Sequence, residues 1–231
     1  MILFGPPGVG KSVYCKLLEN DLGLKQFSTG EVSRMLKPEN LEHNKEFNDQ
    51  EIADIEDKVC KGQLLGDDVI NRLVKPKLEE AKQNGIILDG YPRTINQAKY
   101  LQEHLPIDIM FSISLRKDIL IRKLIGRRIC PECNNAYNIV TINEDGYNIP
   151  PMLPKINPCK CDRCNVDLVQ RRDDVQEVIE NRQNIYMEKM KDILDFYRER
   201  ELLCEFEPKK GINDYPLMLD KVIEFVNKRM A

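Results

Sequence analysis

Three groups of residues in this chain have types and spacings that could do chemistry. The first is Gly5-Pro6-Pro7-Gly8-Val9-Gly10-Lys11-Ser12, a G-x-x-x-x-G-K-[ST] loop lying between the apolar run Met1–Phe4 and a helical stretch. Glycines let backbone N–H groups close around an anion, a following helix points its positive end at it, and Lys11 adds a full charge. The second is Asp89-Gly90-Tyr91-Pro92-Arg93-Thr94, with a carboxylate at the end of the apolar run Ile86–Leu88. Such an Asp beside a phosphate loop most simply holds Mg²⁺, usually through water, and the planar fork of Arg93 suits a second phosphate. The third is Cys130-Pro131-Glu132-Cys133 with Cys161-Asp162-Arg163-Cys164. Each C-x-x-C knuckle can give two thiolates to one tetrahedral Zn²⁺, a structural ion because four thiolates leave no open position. The gap between the knuckles exceeds ordinary zinc-ribbon spacing, and Cys159 competes with Cys161 as the third ligand.

The elements that must position these groups alternate between strand and helix. After the loop, Val13, Leu17 and Leu18 recur at helical spacing until Gly23, and Gln26–Ser28 reads as a short strand. Ser28-Thr29-Gly30-Glu31 caps a helix through Leu36 that stops at Pro38; residues 40–49 are polar; Ile52, Ile55 and Val59 form a helical stripe ending at Gly62. Gly66-Asp67-Asp68 opens a helix with Val69, Leu73 and Val74 on one face, expected to be interrupted near Pro76. Two continuous apolar strands follow, Gly85–Asp89 and Asp108–Leu115, as strands buried in a parallel sheet read, with a helix Ile95–His104 between them. An Arg/Lys-rich helix runs to Gly126, residues 130–164 lose the helical period, and an amphipathic helix is expected from Asp173 to about Arg200. Its apolar face is Val178, Ile179, Ile185, Tyr186, Ile193, Leu194 and Tyr197; a strand Leu202–Phe206 and a helix Pro216–Met230 complete the chain. This alternation implies right-handed crossovers and a parallel sheet with helices on both sides.

The bulk composition narrows the partners. At 231 residues with 42% hydrophobic and 32% charged side chains, the chain can bury one sizeable core. A net charge of −3 gives no global attraction for nucleic acid, so anionic substrates must be held by local Arg and Lys clusters. No apolar stretch approaches membrane-spanning length and no signal-peptide pattern precedes the loop, which points to the cytoplasm with mitochondrial or other organelles left open. Eight cysteines gathered partly into knuckles suggest a metal in a reducing compartment; Cys15, Cys60 and Cys204 read as buried apolar residues.

Five stretches, taken together and in order, resemble the adenylate kinase family of nucleoside monophosphate kinases. They are Gly5–Lys11, Ser28-Thr29-Gly30-Glu31-x-x-Arg34, Asp89–Thr94 with Gln97, Gly126-Arg127-Arg128, and Gln170-Arg171-Arg172-Asp173-Asp174 with Arg182. The resemblance implies an α/β P-loop three-layer fold with a parallel five-stranded sheet, a helical NMP-binding lobe and a small β-rich lid. The core would be 1–29, 63–125 and 175–231, the lobe 30–62, and the zinc-binding lid 126–174 with an insertion near 143–158. It further implies reversible, Mg²⁺-dependent phosphoryl transfer from ATP to AMP by a monomer. By the same resemblance Gly5, Gly8, Val9, Gly10, Lys11, Ser12, Val13, Lys123 and Arg127 would line the donor site. Thr29, Arg34, Leu65, Gly90, Arg93 and Gln97 would hold AMP, with Thr29 and Gln97 reading its adenine. Arg171 and Arg182 would gather charge around the transferring group, and Asp89 would keep the magnesium shell. Zinc-bearing members place a fourth ligand as Cys164 stands before Gln170-Arg171, giving Cys130, Cys133, Cys161 and Cys164 as the set.

Departures from the family pattern concentrate at the donor end. Val13 stands where a threonine is usual, while Ser12 keeps the loop hydroxyl. Lys123 stands where an arginine commonly stacks on the donor base, and lysine has no planar group to stack. A GTP:AMP phosphotransferase is therefore the nearest rival. A UMP/CMP kinase ranks lower because that relative typically has Ala where Thr29 sits, and a plain NTPase is disfavoured by the arginines for a second nucleotide. A zinc-ribbon nucleic-acid binder ranks last: between Cys130 and Cys164 basic residues are few and no aromatic cluster extends beyond Tyr137 and Tyr147.

Overall fold

A computed structural model describes residues 1–35, 47–61 and 63–230. The expected helix end at Leu36–Pro38, the polar run 40–46 and the helix stop at Gly62 lie outside the described residues. So does the side chain of Arg34, although its backbone belongs to a helix.

At the centre lies strand β1 (Ile2–Phe4), followed by the loop and helix α1 (Lys11–Leu22). Gly23 ends α1 in the left-handed region, its N–H donating to Glu19 O at 3.0 Å. Strand β2 (Lys25–Ser28) leads through α2 (Thr29–Met35) to α3 (Asp49–Cys60). Asn48 and Glu51 exchange side-chain and backbone hydrogen bonds at the start of α3, each 2.9 Å long. Then come α4 (Asp67–Asn84), β3 (Ile86–Asp89), α5 (Ile95–His104), β4 (Met110–Ile113) and α6 (Lys117–Ile125). Two small antiparallel pairs follow, β5 (Arg127–Ile129) with β6 (Ala136–Asn138), and β7 (Ile142–Glu144) with β8 (Tyr147–Ile149). Helix α7 (Gln176–Arg198), strand β9 (Leu203–Phe206) and helix α8 (Tyr215–Met230) close the fold.

The five long-range strands form one parallel sheet in the order β2-β3-β1-β4-β9. Every residue of β1, β3 and β4 is buried, as their unbroken apolar runs require, whereas β2 and β9 are half-exposed edges. Alternation along the strands divides the core. Phe4, Leu88 and Met110 face a layer containing Val74, Leu101 and Tyr197; Leu3, Ile87 and Phe111 face one containing Leu18, Ile119 and Met218. Register pairs Leu3 with Asp89, so the loop after β1 and the carboxylate of β3 emerge side by side at the carboxyl edge.

Four local expectations need correction. Helix α4 continues through Pro76, because its buried stripe of Ile70, Val74, Leu78 and Ala81 outweighs one missing backbone bond; Val69 and Leu73 sit at the margin of that stripe. Helix α7 starts at Gln176 rather than Asp173, since Asp173 and Asp174 turn their carboxylates to Arg182 and Arg127. Cys15 and Cys204 are buried, but Cys60 is exposed, one position beyond the Ile52–Ile55–Val59 face of α3. The segment 143–158 does not simply enlarge a lid hairpin: β7–β8 is a separate hairpin packed on the core layer of Leu3 and Phe111. Leu88→Ala, at a site with no solvent exposure in the central sheet, should lower stability by about 3–5 kcal/mol in chemical denaturation; a loss under 1 kcal/mol would contradict this packing.

Candidate active site

The phosphate loop is shaped by where its atoms can go. At Gly8, φ is +89°, and a Cβ would lie 2.8 Å from both Leu120 O and Leu124 Cγ, so a side chain there fails on conformation and on space. No side chain caps α1 and no acidic residue occupies its first turn, so its leading N–H groups are open to an anion. The Lys11 ammonium folds over the loop and donates to Gly5 O at 2.6 Å and Pro6 O at 3.0 Å. Burial pushes the Lys11 pKa down to about 8, with nearby Asp89 opposing the shift. Gln183, buried on α7, donates to Pro7 O at 2.9 Å and ties that helix to the loop.

Asp89 sits at the end of β3, and its Oδ2 accepts from Ser12 Oγ at 3.1 Å and Gln26 Nε2 at 3.2 Å. A carboxylate and a hydroxyl beside a phosphate loop are the oxygen donors that a hard cation such as Mg²⁺ uses, so this pair fits that ion. On the β3 side, a Gly90–Arg93 turn containing a cis Tyr91–Pro92 bond carries Arg93. Arg93 Nε donates to Gly90 O at 2.8 Å, and Thr29 Oγ1 donates to the same carbonyl at 2.7 Å.

Two more cations come from the lid and α7. Arg127 grips Asp174 through two nitrogens, Nε at 2.7 Å and Nη2 closer still. Arg182 Nη1 donates to Asp173 Oδ2 at 2.7 Å, and burial lowers its pKa despite the Asp173 carboxylate. Gln170 donates to Asp174 O at 2.8 Å, bracing the turn that holds both acids. These groups face one cavity of about 1180 Å³, beyond the ~1,000 Å³ upper end usual for one small ligand. Gly5, Gly8, Val9, Gly10, Lys11, Ser12, Val13, Asp89, Gly90, Arg93, Lys123, Arg127, Arg171 and Arg182 all line it.

Thr29, Leu65 and Gln97 do not line it: all three are buried. Gln97 accepts from Arg93 N at 2.7 Å and donates to Asp67 Oδ1 at 2.8 Å, so its amide positions the Arg93 turn. Asp67, which also accepts from Thr94 Oγ1 at 2.9 Å, was not legible as part of the site because it lies on α4, far away in the chain. Gln183 left a faint signal, a polar residue on the otherwise apolar face of α7.

The four lid cysteines converge, with the sulfurs of Cys130, Cys133, Cys161 and Cys164 all within 4.8 Å of one another. Cys133 and Cys161 are 3.6 Å apart, close to the ~3.7 Å edge of a tetrahedron with 2.3 Å zinc–sulfur bonds. Each knuckle closes on an asparagine with positive φ, Asn134 at 56° and Asn165 at 55°, a conformation asparagine tolerates. Backbone N–H groups, first that of Cys164, hold the Cys161 thiol down to about 6, and Tyr137 Oη donates to its sulfur at 3.6 Å. Cys159 is exposed and stands outside the cluster, whereas Cys161 is within it.

A phosphate loop at the carboxyl edge of a parallel sheet, facing arginines on two further sides of one cavity, defines a P-loop α/β nucleotide phosphotransferase. The family model "Adenylate kinase" matches residues 3–202. The chain belongs to the adenylate kinase family, which are nucleoside monophosphate kinases. It is 33% identical to the adenylate kinase of Thermotoga neapolitana, covering 99% of this chain and 98% of that protein. It is 34% identical to a GTP:AMP phosphotransferase of Plasmodium falciparum (93% and 92% covered) and 36% identical to a probable chloroplastic adenylate kinase of Oryza sativa (94% and 73%). No helix among the described residues is long and apolar enough to cross a membrane.

The geometry generates two predictions. A phosphate bound against Lys11 should return its pKa toward the ordinary lysine value of 10.5, so ATP binding near about pH 9 should take up protons. Calorimetry in buffers of different ionisation enthalpy should show this uptake as observed heats that change with the buffer, largely lost in Lys11→Met; observed heats that are the same in every buffer for the unaltered protein would contradict it. Purified protein should carry about one Zn²⁺ per chain, lost in Cys161→Ser and kept in Cys159→Ser by metal analysis. The reverse pattern would contradict the cluster.

Proposed function

We propose that this protein transfers the γ-phosphoryl group of Mg·ATP to AMP, reversibly, giving two ADP. The observation that carries the reading is the single cavity joining the Lys11 loop to Arg93. In this reading Lys11, Arg127 and the N–H groups of the loop hold the donor phosphates, and Arg93 with Arg34 holds the AMP phosphate. Arg171 and Arg182, which line the same cavity, would gather charge around the transferring group. Mg²⁺, when bound, neutralises donor phosphate charge, and Ser12 and Asp89 are the residues that would hold it. Thr29 and Gln97 act from beneath the AMP site, by fixing Gly90 and Arg93.

The reaction asks for no general base. An AMP phosphate oxygen, already anionic, forms the new bond to the γ-phosphorus while the bond to the β–γ bridging oxygen breaks, and no proton needs to move. What the protein supplies is alignment, together with positive charge around the equatorial oxygens. Asp173 and Asp174 hold Arg182 and Arg127 in place, so that incoming phosphates compete for guanidinium groups already aimed at the cavity. A lid braced by Zn²⁺ on its four cysteines would deliver Arg127 and Arg171 together, and closing it would exclude water that otherwise hydrolyses ATP.

A second reading, GTP as donor, is favoured by Lys123. Its ammonium has no hydrogen-bond or ion-pair partner among the described residues, faces the cavity, and is lowered to about 8 by burial. Guanine offers O6 and N7 as adjacent acceptors for such a cation, whereas adenine offers N7 beside an amino group. Initial rates over pairs of nucleoside triphosphates and monophosphates should be highest with ATP and AMP; transfer from GTP and not ATP would overturn the first reading for the second. Arg93→Ala should lower kcat/KM for AMP by about 10²–10³-fold with little change in thermal midpoint. Unchanged kinetics would remove Arg93 from the acceptor site.

A further inference from the structure

The sheet order separates the two ends of the cavity. Strand β1 carries the loop; β3 on one side leads to Asp89 and Arg93, the acceptor side. On the other side lie β4 and β9, so the base of a donor whose phosphates occupy the loop must extend that way. The wall there is made by Lys123 of α6, Val140, Ile212 and Ile149. Of these, Ile149 comes from the hairpin β7–β8, which lies within the stretch where the chain departs from the family pattern.

That hairpin is bolted to the core. Ile142, Tyr147 and Ile149 are buried in the layer that holds Leu3, Tyr14 and Phe111. Asn148 N donates to Lys209 O at 2.8 Å, and the Tyr147 hydroxyl donates to Glu207, both in the loop after β9. The Lys209 ammonium stands 4.0 Å from the centre of the Tyr147 ring. At the outer end, Arg116 donates to Glu144 at 3.0 Å and to Asp145, and Arg122 to Glu144 at 2.9 Å. Gly211, whose carbonyl accepts from Tyr14 Oη at 2.8 Å, has room for no Cβ: one would meet Ile149 Cγ2 at 2.8 Å. The phosphate-loop helix, the turn after β9 and the hairpin are thus packed into one rigid block.

We propose that the hairpin Ile142–Ile149 belongs mechanically to the core and forms a fixed wall of the donor-base compartment, with Ile149 as a specificity-determining side chain. The inference deepens the reading of the loop as the donor site and rests on it. An apolar side chain at this place contributes to the nucleoside end of the donor and nothing to its phosphates, which separates it from a general structural role. It also leaves the lid to move on the segments flanking the hairpin, about 140–141 and 150–151, rather than as one body from 126 to 174, with Met152 paired to Asn138 on the lid side.

The test compares binding of ATP, of inorganic tripolyphosphate, which lacks a base, and of AMP, in full-length protein. Ile149→Ala should weaken ATP about fivefold to tenfold while tripolyphosphate and AMP stay within about twofold. Equal weakening of ATP and tripolyphosphate, or no change in either, would overturn the proposal. Should the alanine variant not fold, Ile149→Val removes one methylene and should weaken ATP about twofold to threefold with tripolyphosphate unchanged; equal affinity for ATP would overturn it. Asp145→Ala, at the outer tip, should leave all three affinities unchanged. Failure of the unaltered protein to bind tripolyphosphate would overturn the donor-loop reading itself, a result distinguishable from loss of the ATP-to-tripolyphosphate difference alone.

Discussion

Cations are gathered, largely desolvated, around one cavity, and their burial first, with their mutual repulsion after it, sets what the surrounding structure must offset. Lys11, Arg93, Arg127, Arg171, Arg182 and Lys123 all line it, in a chain whose net charge is negative. Lys11 and Lys123 are both held near 8 by burial, and burial lowers Arg182 as well. The protein offsets this partly with Asp89, Asp173 and Asp174, each placed against a cation or hydroxyl rather than in the cavity centre. Like charges held in a low-dielectric cleft cost free energy that only an anion can return, and a row of phosphates matches that need in charge and length. Binding energy is thus concentrated on phosphates, where transfer occurs, instead of on the bases.

Much of this was legible in the sequence because its chemistry is local. The loop, the carboxylate ending an apolar run and the paired cysteine knuckles are short motifs whose geometry follows from a few neighbouring dihedrals. What the sequence left open was decided by packing between distant segments. Both Cys159 and Cys161 satisfy a knuckle spacing; Cys161 is chosen by a turn in which its N–H donates to Val166 O and its carbonyl accepts from Asn165 N. The family resemblance implies a base-reading role for Gln97; that its amide nitrogen donates to Asp67, thirty residues earlier, is a contact only the fold shows. Pro76 reads as an interruption, yet a buried stripe carries α4 past it.

The hairpin β7–β8 shows the same limit more sharply. Tyr147 and Ile149 are buried with exposed Asn148 between them, and Asp145-Gly146 turns the chain with positive φ at both positions. Nothing local says that its apolar face packs on the core layer of Leu3 and Phe111 instead of the four-cysteine cluster. That placement divides the stretch between β6 and the second knuckle into a part packed on the core and a part attached to the cysteine cluster.

In the proposed reaction two nucleotides meet phosphate to phosphate in the one cavity that the loop and Arg93 line. This arrangement is tested most directly with a ligand in which two adenosines are joined through a chain of phosphates long enough to reach both sites. One such molecule should bind per chain, displacing ATP and AMP together, with affinity far above either and strongly reduced by either Lys11→Met or Arg93→Ala. Binding of two molecules per chain, or displacement of ATP with AMP still bound, would contradict it.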